Sequence, residues 1–71
     1  MTALDRMKEI TEFLRGLGID DAHKESEIIV THCLGIDKAS LYRDNPVLSE
    51  RDVKEIDTVL QRRARREPLQ Y

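Results

Sequence analysis

The sequence predicts an all-α fold, a small compact bundle of about four helices. Three observations carry this. Apolar residues recur at helical spacing through three separate segments, and capping residues or glycine and proline bracket those segments. Nowhere do apolar and polar residues alternate as they would along a half-buried strand.

The first helix is expected from Thr2, because Thr2-Ala3-Leu4-Asp5 has the pattern of a capping box. Ala3, Met7, Ile10, Phe13, Leu14 and Leu17 then fall on an arc of about 120° at helical spacing. Lys8, Glu9, Glu12 and Arg15 lie outside that arc, and Gly16 and Gly18 supply the stop. A short connection to the next helix favours antiparallel neighbours.

The second helix, between Asp20 and Gly35, is the predicted hub. Ala22, Ser26, Ile29 and Cys33 share one stripe, Val30 and Leu34 widen it, and Ile28 sits far round on another side. A helix apolar on more than one side needs more than one neighbour to cover it. Asp20 or Asp21 offers the N-cap, and Gly35 offers a residue without a Cβ for a left-handed stop.

A brief third helix is expected from Lys38 to Arg43, capped by Asp37, with Leu41 turned inward and Tyr42 as a second candidate. Asp44-Asn45-Pro46 breaks it, since a residue before proline is pushed out of the α region. The fourth begins at a second capping box, Ser49-Glu50-Arg51-Asp52, and carries Val53, Ile56, Leu60 and Ala64 on a narrow stripe with Val59 beside it. Pro68 is expected to end it.

Composition bounds the function. The chain has 71 residues, a net charge of −2 and one cysteine, so it forms one domain or a piece of a larger protein and holds no internal disulfide. No apolar run approaches membrane length, and the charged start MTALDRMKEI does not read as a signal peptide. A cytoplasmic protein with no membrane partner is expected. The net negative charge argues against bulk attraction to nucleic acid.

Few residues suggest chemistry. His32 and Cys33 are adjacent in sequence, so on a helix they point about 100° apart and make no nucleophile–base pair. Cys33 reads as a small core residue, and His23 and His32 lie on separated faces of one helix. There is no glycine-rich phosphate loop and no zinc-like spacing, so no catalytic, cofactor-binding or metal residue is expected. What remains is a basic face on the last helix, opposite its apolar stripe: Arg51, Lys54, Arg62, Arg65 and Arg66, interrupted by Glu55. Two readings stay open. It is a solvated surface near a helix C-terminus, or an electrostatic patch for an acidic protein or RNA. No aromatic residue is interleaved with these charges, so stacking on bases is not supported. Arg63 projects near the apolar stripe, positioned to pair with Glu67 or to reach a neighbouring domain.

The stretch Gln61-Arg62-Arg63-Ala64-Arg65-Arg66-Glu67-Pro68-Leu69-Gln70-Tyr71 is more specific. It resembles the junction in HemK-type methyltransferases, where a helix ending in paired arginines runs into a Glu-Pro-hydrophobic-x-aromatic segment. Arg62 and Arg63 match the pair; Glu67, Pro68, Leu69 and Tyr71 match the segment. The hub is similar to that family's second helix at Glu25, Glu27, Ile28, Ile29, His32 and Leu34-Gly35, and Leu48-Ser49 resembles the approach to the domain's last helix. Departures are Glu25-Ser26-Glu27, where alanine is usual, and Arg65-Arg66, where glycine is common.

The resemblance implies an N-terminal helical domain over 1–67 and the start of a linker to a methyltransferase domain over 68–71. It implies a parent enzyme that uses S-adenosylmethionine to methylate a glutamine of peptide-chain release factors, with this domain recognising the release factor. The family's cofactor loop and Asn-Pro-Pro-Tyr motif match no position here, so no catalytic or cofactor residue is carried over. The resemblance also makes Arg63, Glu67, Pro68, Leu69 and Tyr71 the expected domain junction. The alternatives are a helical RNA- or ribosome-binding module and a structural bundle that docks on a partner domain through Leu69 and Tyr71.

Overall fold

Among the described residues four helices follow the predicted order: α1 (Ala3–Gly16), α2 (Ala22–Leu34), α3 (Lys38–Asp44) and α4 (Glu50–Ala64). The computed structural model describes residues 1–65, so Arg66 and the expected stop at Pro68 lie outside the described residues. The Cα radius of gyration of 11.2 Å matches the roughly 11 Å expected of a packed chain this long, so the helices form one body.

The helix ends show why the chain turns where it does. α1 closes with Gly18 at φ 81°, the Ile19 N–H donating to the Leu14 carbonyl and the Gly18 N–H to that of Arg15. α2 closes the same way around Gly35 at φ 67°, with Ile36 donating to Thr31 and Gly35 to His32. A left-handed residue is needed at both places, and glycine adopts it without a steric cost. At the start of α2, Asp21 occupies the cap position, yet its side chain makes no capping hydrogen bond. The Ser49–Asp52 capping box of α4 is complete in both directions.

α1 is capped by more than its own sequence. Thr2 Oγ1 accepts from the Asp5 N–H at 3.3 Å, as the local pattern predicts. The Leu4 N–H donates to Asn45 Oδ1 at 2.9 Å, and the Ala3 N–H to the Pro46 carbonyl at 2.8 Å. Leu48 returns a bond to the Met1 carbonyl, making an isolated antiparallel bridge of Thr2 with Val47. Asn45 therefore does two jobs. At φ 41° it ends α3 in the left-handed region that Asn tolerates, and its side chain satisfies an orphan donor of α1.

The hub expectation holds, since α2 packs on each of the other three helices. The core is Ala3, Met7, Ile10 and Leu14 of α1; Ala22, Ile29 and Val30 of α2; Leu41; and Ile56 and Leu60 of α4. Three expectations about side chains are corrected. Phe13 is 42% exposed, because the buried arc of α1 is rotated toward Thr11, which packs against α2. Tyr42 is equally exposed, because its hydroxyl reaches a surface carboxylate on α2. Ala64 is exposed, because nothing described covers the last turn of α4 on that side.

Among the described residues Thr11 and Ser26 form the one buried polar cluster, with their hydroxyl oxygens 2.7 Å apart. Thr11 is also 2.9 Å from the Met7 carbonyl and Ser26 2.7 Å from that of His23. Two hydroxyls carry two protons for these three contacts, so one proton is shared or alternates. No described helix is long and apolar enough to cross a membrane.

Candidate functional site

The basic face follows from helix geometry. Ile56 and Leu60 bury one side of α4, and the 3.6-residue period turns Arg51, Lys54, Arg62 and Arg65 to the opposite, solvent side. All four are exposed. Arg51, 88% exposed, pairs with Glu55 at 3.3 Å one turn on. Among the described residues no ion pair is recorded for Lys54, Arg62 or Arg65. The crest therefore presents four cations against the carboxylate of Glu55. Arg66, the fifth residue expected on it, lies outside the described residues, as do Glu67, Pro68, Leu69 and Tyr71 of the expected junction.

α4 stands as a ridge between two open grooves. Toward α1, a cavity of about 300 Å³ is lined by Arg6, Glu9, Ile10, Phe13, Asp57, Leu60, Gln61 and Ala64. Toward the end of α2, a cavity of about 270 Å³ is lined by His32, Cys33, Glu55, Thr58 and Val59. Cys33 is half-buried and rests against the core. Burial raises its thiol pKa, and the nearby Glu55 and Asp52 carboxylates push the same way, which keeps it a poor nucleophile.

Two ion pairs hold the ridge in place. Arg6 of α1 donates to Asp57 at 2.5 Å and to Glu9 at 3.1 Å. Arg63 donates to both carboxylate oxygens of Glu25 on α2, at 3.0 and 3.4 Å, with both side chains more than four-fifths covered. The sequence pointed Arg63 toward Glu67, which lies outside the described residues, or toward another domain; within the described residues Arg63 pairs with Glu25. A charge signature 38 residues apart is invisible to periodicity, which is why Glu25 was missed.

A third cluster also escaped the sequence. Tyr42 donates to Glu27 at 2.6 Å, and Lys38 lies 3.6 Å from the same carboxylate. The Tyr42 hydrogen bond holds the Glu27 pKa below its usual value, and Lys38 adds to this. Reciprocally, the carboxylate pushes the Tyr42 phenol up to about 12. This ties α3 to α2 on the surface and moves both the Glu27 and the Tyr42 titration away from neutrality.

No group of three His, Cys, Asp or Glu side chains among the described residues is placed to hold a metal ion. The described residues do not build a cradle for S-adenosylmethionine: the glycines are Gly16 at the end of α1 and the isolated left-handed Gly18 and Gly35, not a phosphate- or nucleoside-binding loop. Fold and site together define a small helical-bundle domain whose distinctive feature is a basic ridge between two grooves. Comparison with known proteins gives the family: the chain matches the PrmC N-terminal domain over residues 5–71, and it belongs to that family. It is 36% identical over 72 residues to a release factor glutamine methyltransferase of Thermodesulfovibrio yellowstonii, covering all of this chain and 24% of that relative. The chain thus spans about a quarter of the length of the curated relative it matches. No solved structure matches.

Proposed function

We propose that this chain is the substrate-recognition domain of a protein-(glutamine-N5) methyltransferase that acts on peptide-chain release factors in the cytoplasm. Residues 1–67 form the domain and 68–71 begin the linker to the enzyme's own methyltransferase domain, with Arg63, Glu67, Pro68, Leu69 and Tyr71 at the junction. In that parent enzyme S-adenosylmethionine, held by the other domain, supplies the methyl group that the glutamine amide nitrogen accepts. The role of this domain is to hold the release factor while its glutamine is presented elsewhere. Remote contacts of this kind supply binding energy that keeps a mobile substrate in a reactive geometry.

One observation carries the reading: within a family matched through a release factor methyltransferase, α4 turns Arg51, Lys54, Arg62 and Arg65 outward while Arg63 and Asp57 fix the helix from behind. Charges on an exposed rim steer encounter more than they hold a complex together. The test is methylation kinetics of the full-length enzyme with Arg62, Arg65 and Arg66 replaced by Ser. kcat/KM is expected to fall at low ionic strength and the defect to shrink as salt rises. Equal kcat/KM for wild type and variant at low salt returns these arginines to a solvated face. If unrelated RNA binding falls while methylation does not, the face belongs to an RNA module.

A further inference from the structure

We propose that the groove between α1 and α4 is the pocket that anchors the release factor, taking one apolar side chain from an acidic segment whose carboxylates meet Lys54 and Arg65. This assignment rests on the release-factor reading above and adds to it the contact that holds the complex once charge has brought it together. A lone exposed apolar residue means little, but here several share one concavity. On α1 the arc continues from Ile10 to Phe13, yet Phe13 is 42% exposed while Ile10 is fully buried. On α4 the stripe continues from Leu60 to Ala64, yet Ala64 is exposed while Leu60 is buried. Both lapses line the same cavity of about 300 Å³, the small end of the range for sites that enclose a ligand, which suits a side chain better than a cofactor. Two turns back along each helix the Arg6–Asp57 pair closes the groove. Its apolar part is the stretch where Phe13, Leu60 and Ala64 meet.

Charge decides what kind of segment carries that side chain. The carboxylates lining the groove, Glu9 and Asp57, are both engaged by Arg6. Helix periodicity sets Lys54 one turn from Asp57 and Arg65 one turn from Gln61, so two exposed cations border the α4 wall along its length. A segment with an apolar residue toward the groove and carboxylates toward the crest of α4 satisfies both surfaces at once. A basic segment is repelled by the crest, and a purely apolar one leaves it unpaired. The arrangement is that of an interface centre, an apolar anchor removed from water beside a polar and charged rim. It also divides the labour of binding. Rim charges set the rate of encounter, and the buried anchor sets the rate of escape.

The experiment follows association and dissociation of a peptide-chain release factor on the immobilised 71-residue chain by surface plasmon resonance, at low and high salt. Phe13→Ala removes the exposed apolar wall and Ala64→Gln fills the mouth of the groove, and neither changes a charge. Phe13 is 42% exposed and Ala64 is exposed, so circular dichroism is expected to show both variants folded. If Phe13→Ala lowers Tm markedly, Ala64→Gln alone decides. Each variant is expected to weaken Kd by roughly 10- to 30-fold through faster dissociation, as loss of a desolvated apolar anchor does. The factor is expected to be the same at both salt concentrations, because screening acts on charges only. The Arg62→Ser, Arg65→Ser, Arg66→Ser variant is expected to differ by associating more slowly at low salt alone. Wild-type affinity in both groove variants, with weakened binding in the arginine variant, overturns the pocket and leaves the release-factor reading standing. A groove defect that vanishes at high salt overturns the pocket as well, since it assigns the effect to charge. No binding by wild type overturns both.

Discussion

The α1–α2 hairpin and helix α4 share one core but are joined to it by different chemistry. α1 and α2 meet along interlocked apolar stripes, with Ile10, Leu14, Ile29 and Val30 all but fully buried and a Thr11–Ser26 contact sealed between them. α4 contributes Ile56 and Leu60 to that core, then relies on charge: Arg6–Asp57 toward α1 and Glu25–Arg63 toward α2. α4 is flanked by an open groove on each side. A helix held by latches along its flanks can give its whole outer face to charged residues without weakening the packing beneath it. The hairpin is the frame and α4 the ridge mounted on it.

The largest effect expected from breaking this division is in the frame. Ile29→Ala removes a side chain that is 2% exposed at the centre of the hub and should cost about 2–5 kcal/mol, as large-to-small core changes do. For a domain of this size that is most of the stability, and a thermal melt followed by circular dichroism should show it. A variant that melts with wild type would mean the frame is elsewhere.

Next comes the latch. Glu25→Ala leaves the Arg63 guanidinium more than four-fifths covered without that carboxylate and should cost about 1–2 kcal/mol in denaturant unfolding. Glu12→Ala breaks a pair with Arg15 whose side chains are 69% and 64% exposed, and should change stability by no more than about 0.5 kcal/mol. Equal losses from the two would erase the distinction between latch and surface pair. Within the hairpin, Thr11→Val keeps the shape and removes one hydroxyl, while Ser26 keeps the His23 carbonyl as acceptor. About 1 kcal/mol is expected, again from denaturant unfolding.

The smallest stability effect belongs to the surface tie between α3 and α2, and its sign can be worked out. The Glu27 pKa is lowered on folding, so its contribution is present above the usual 4.5 and is lost as pH falls through the folded value. The Tyr42 pKa is raised from 10.0 to about 12, so its contribution is present below 10.0 and is lost as pH rises through about 12. The stability difference between wild type and Tyr42→Phe should therefore be level between about pH 5 and 9 and shrink on either side. Chemical denaturation carried below the usual 4.5 of Glu27 and up through about 12 measures it. A difference independent of pH would mean that the Tyr42–Glu27 bond is absent in solution.

The frame was far more legible in the sequence than the latches were. Stripes such as Met7–Ile10–Leu14 and Val53–Ile56–Leu60 repeat within one turn of helix, and caps such as Thr2, Asp37 and Ser49 act three residues away, so each signal lies inside a short window. The basic crest was legible for the same reason. Arg6–Asp57, Glu25–Arg63 and the Asn45 cap on α1 span 51, 38 and 41 residues, and no periodicity links such partners. Charged residues also read as solvated by default, which hid Arg6. Phe13 misled for the opposite reason: it has the right spacing for the core, but the Thr11–Ser26 contact rotates α1 and carries Phe13 to the groove.

The proposed function puts recognition on the ridge, and the packing puts stability in the frame. Calorimetric titration of a release factor into the 71-residue chain and into its Arg62→Ser, Arg65→Ser, Arg66→Ser variant, each at low and high salt, tests it most directly. Three rim charges at about 0.2–1 kcal/mol each predict a Kd weaker by roughly 3- to 100-fold at low salt, converging toward wild type as salt rises, with Tm unchanged. No binding by wild type, or equal Kd values at low salt, would contradict it.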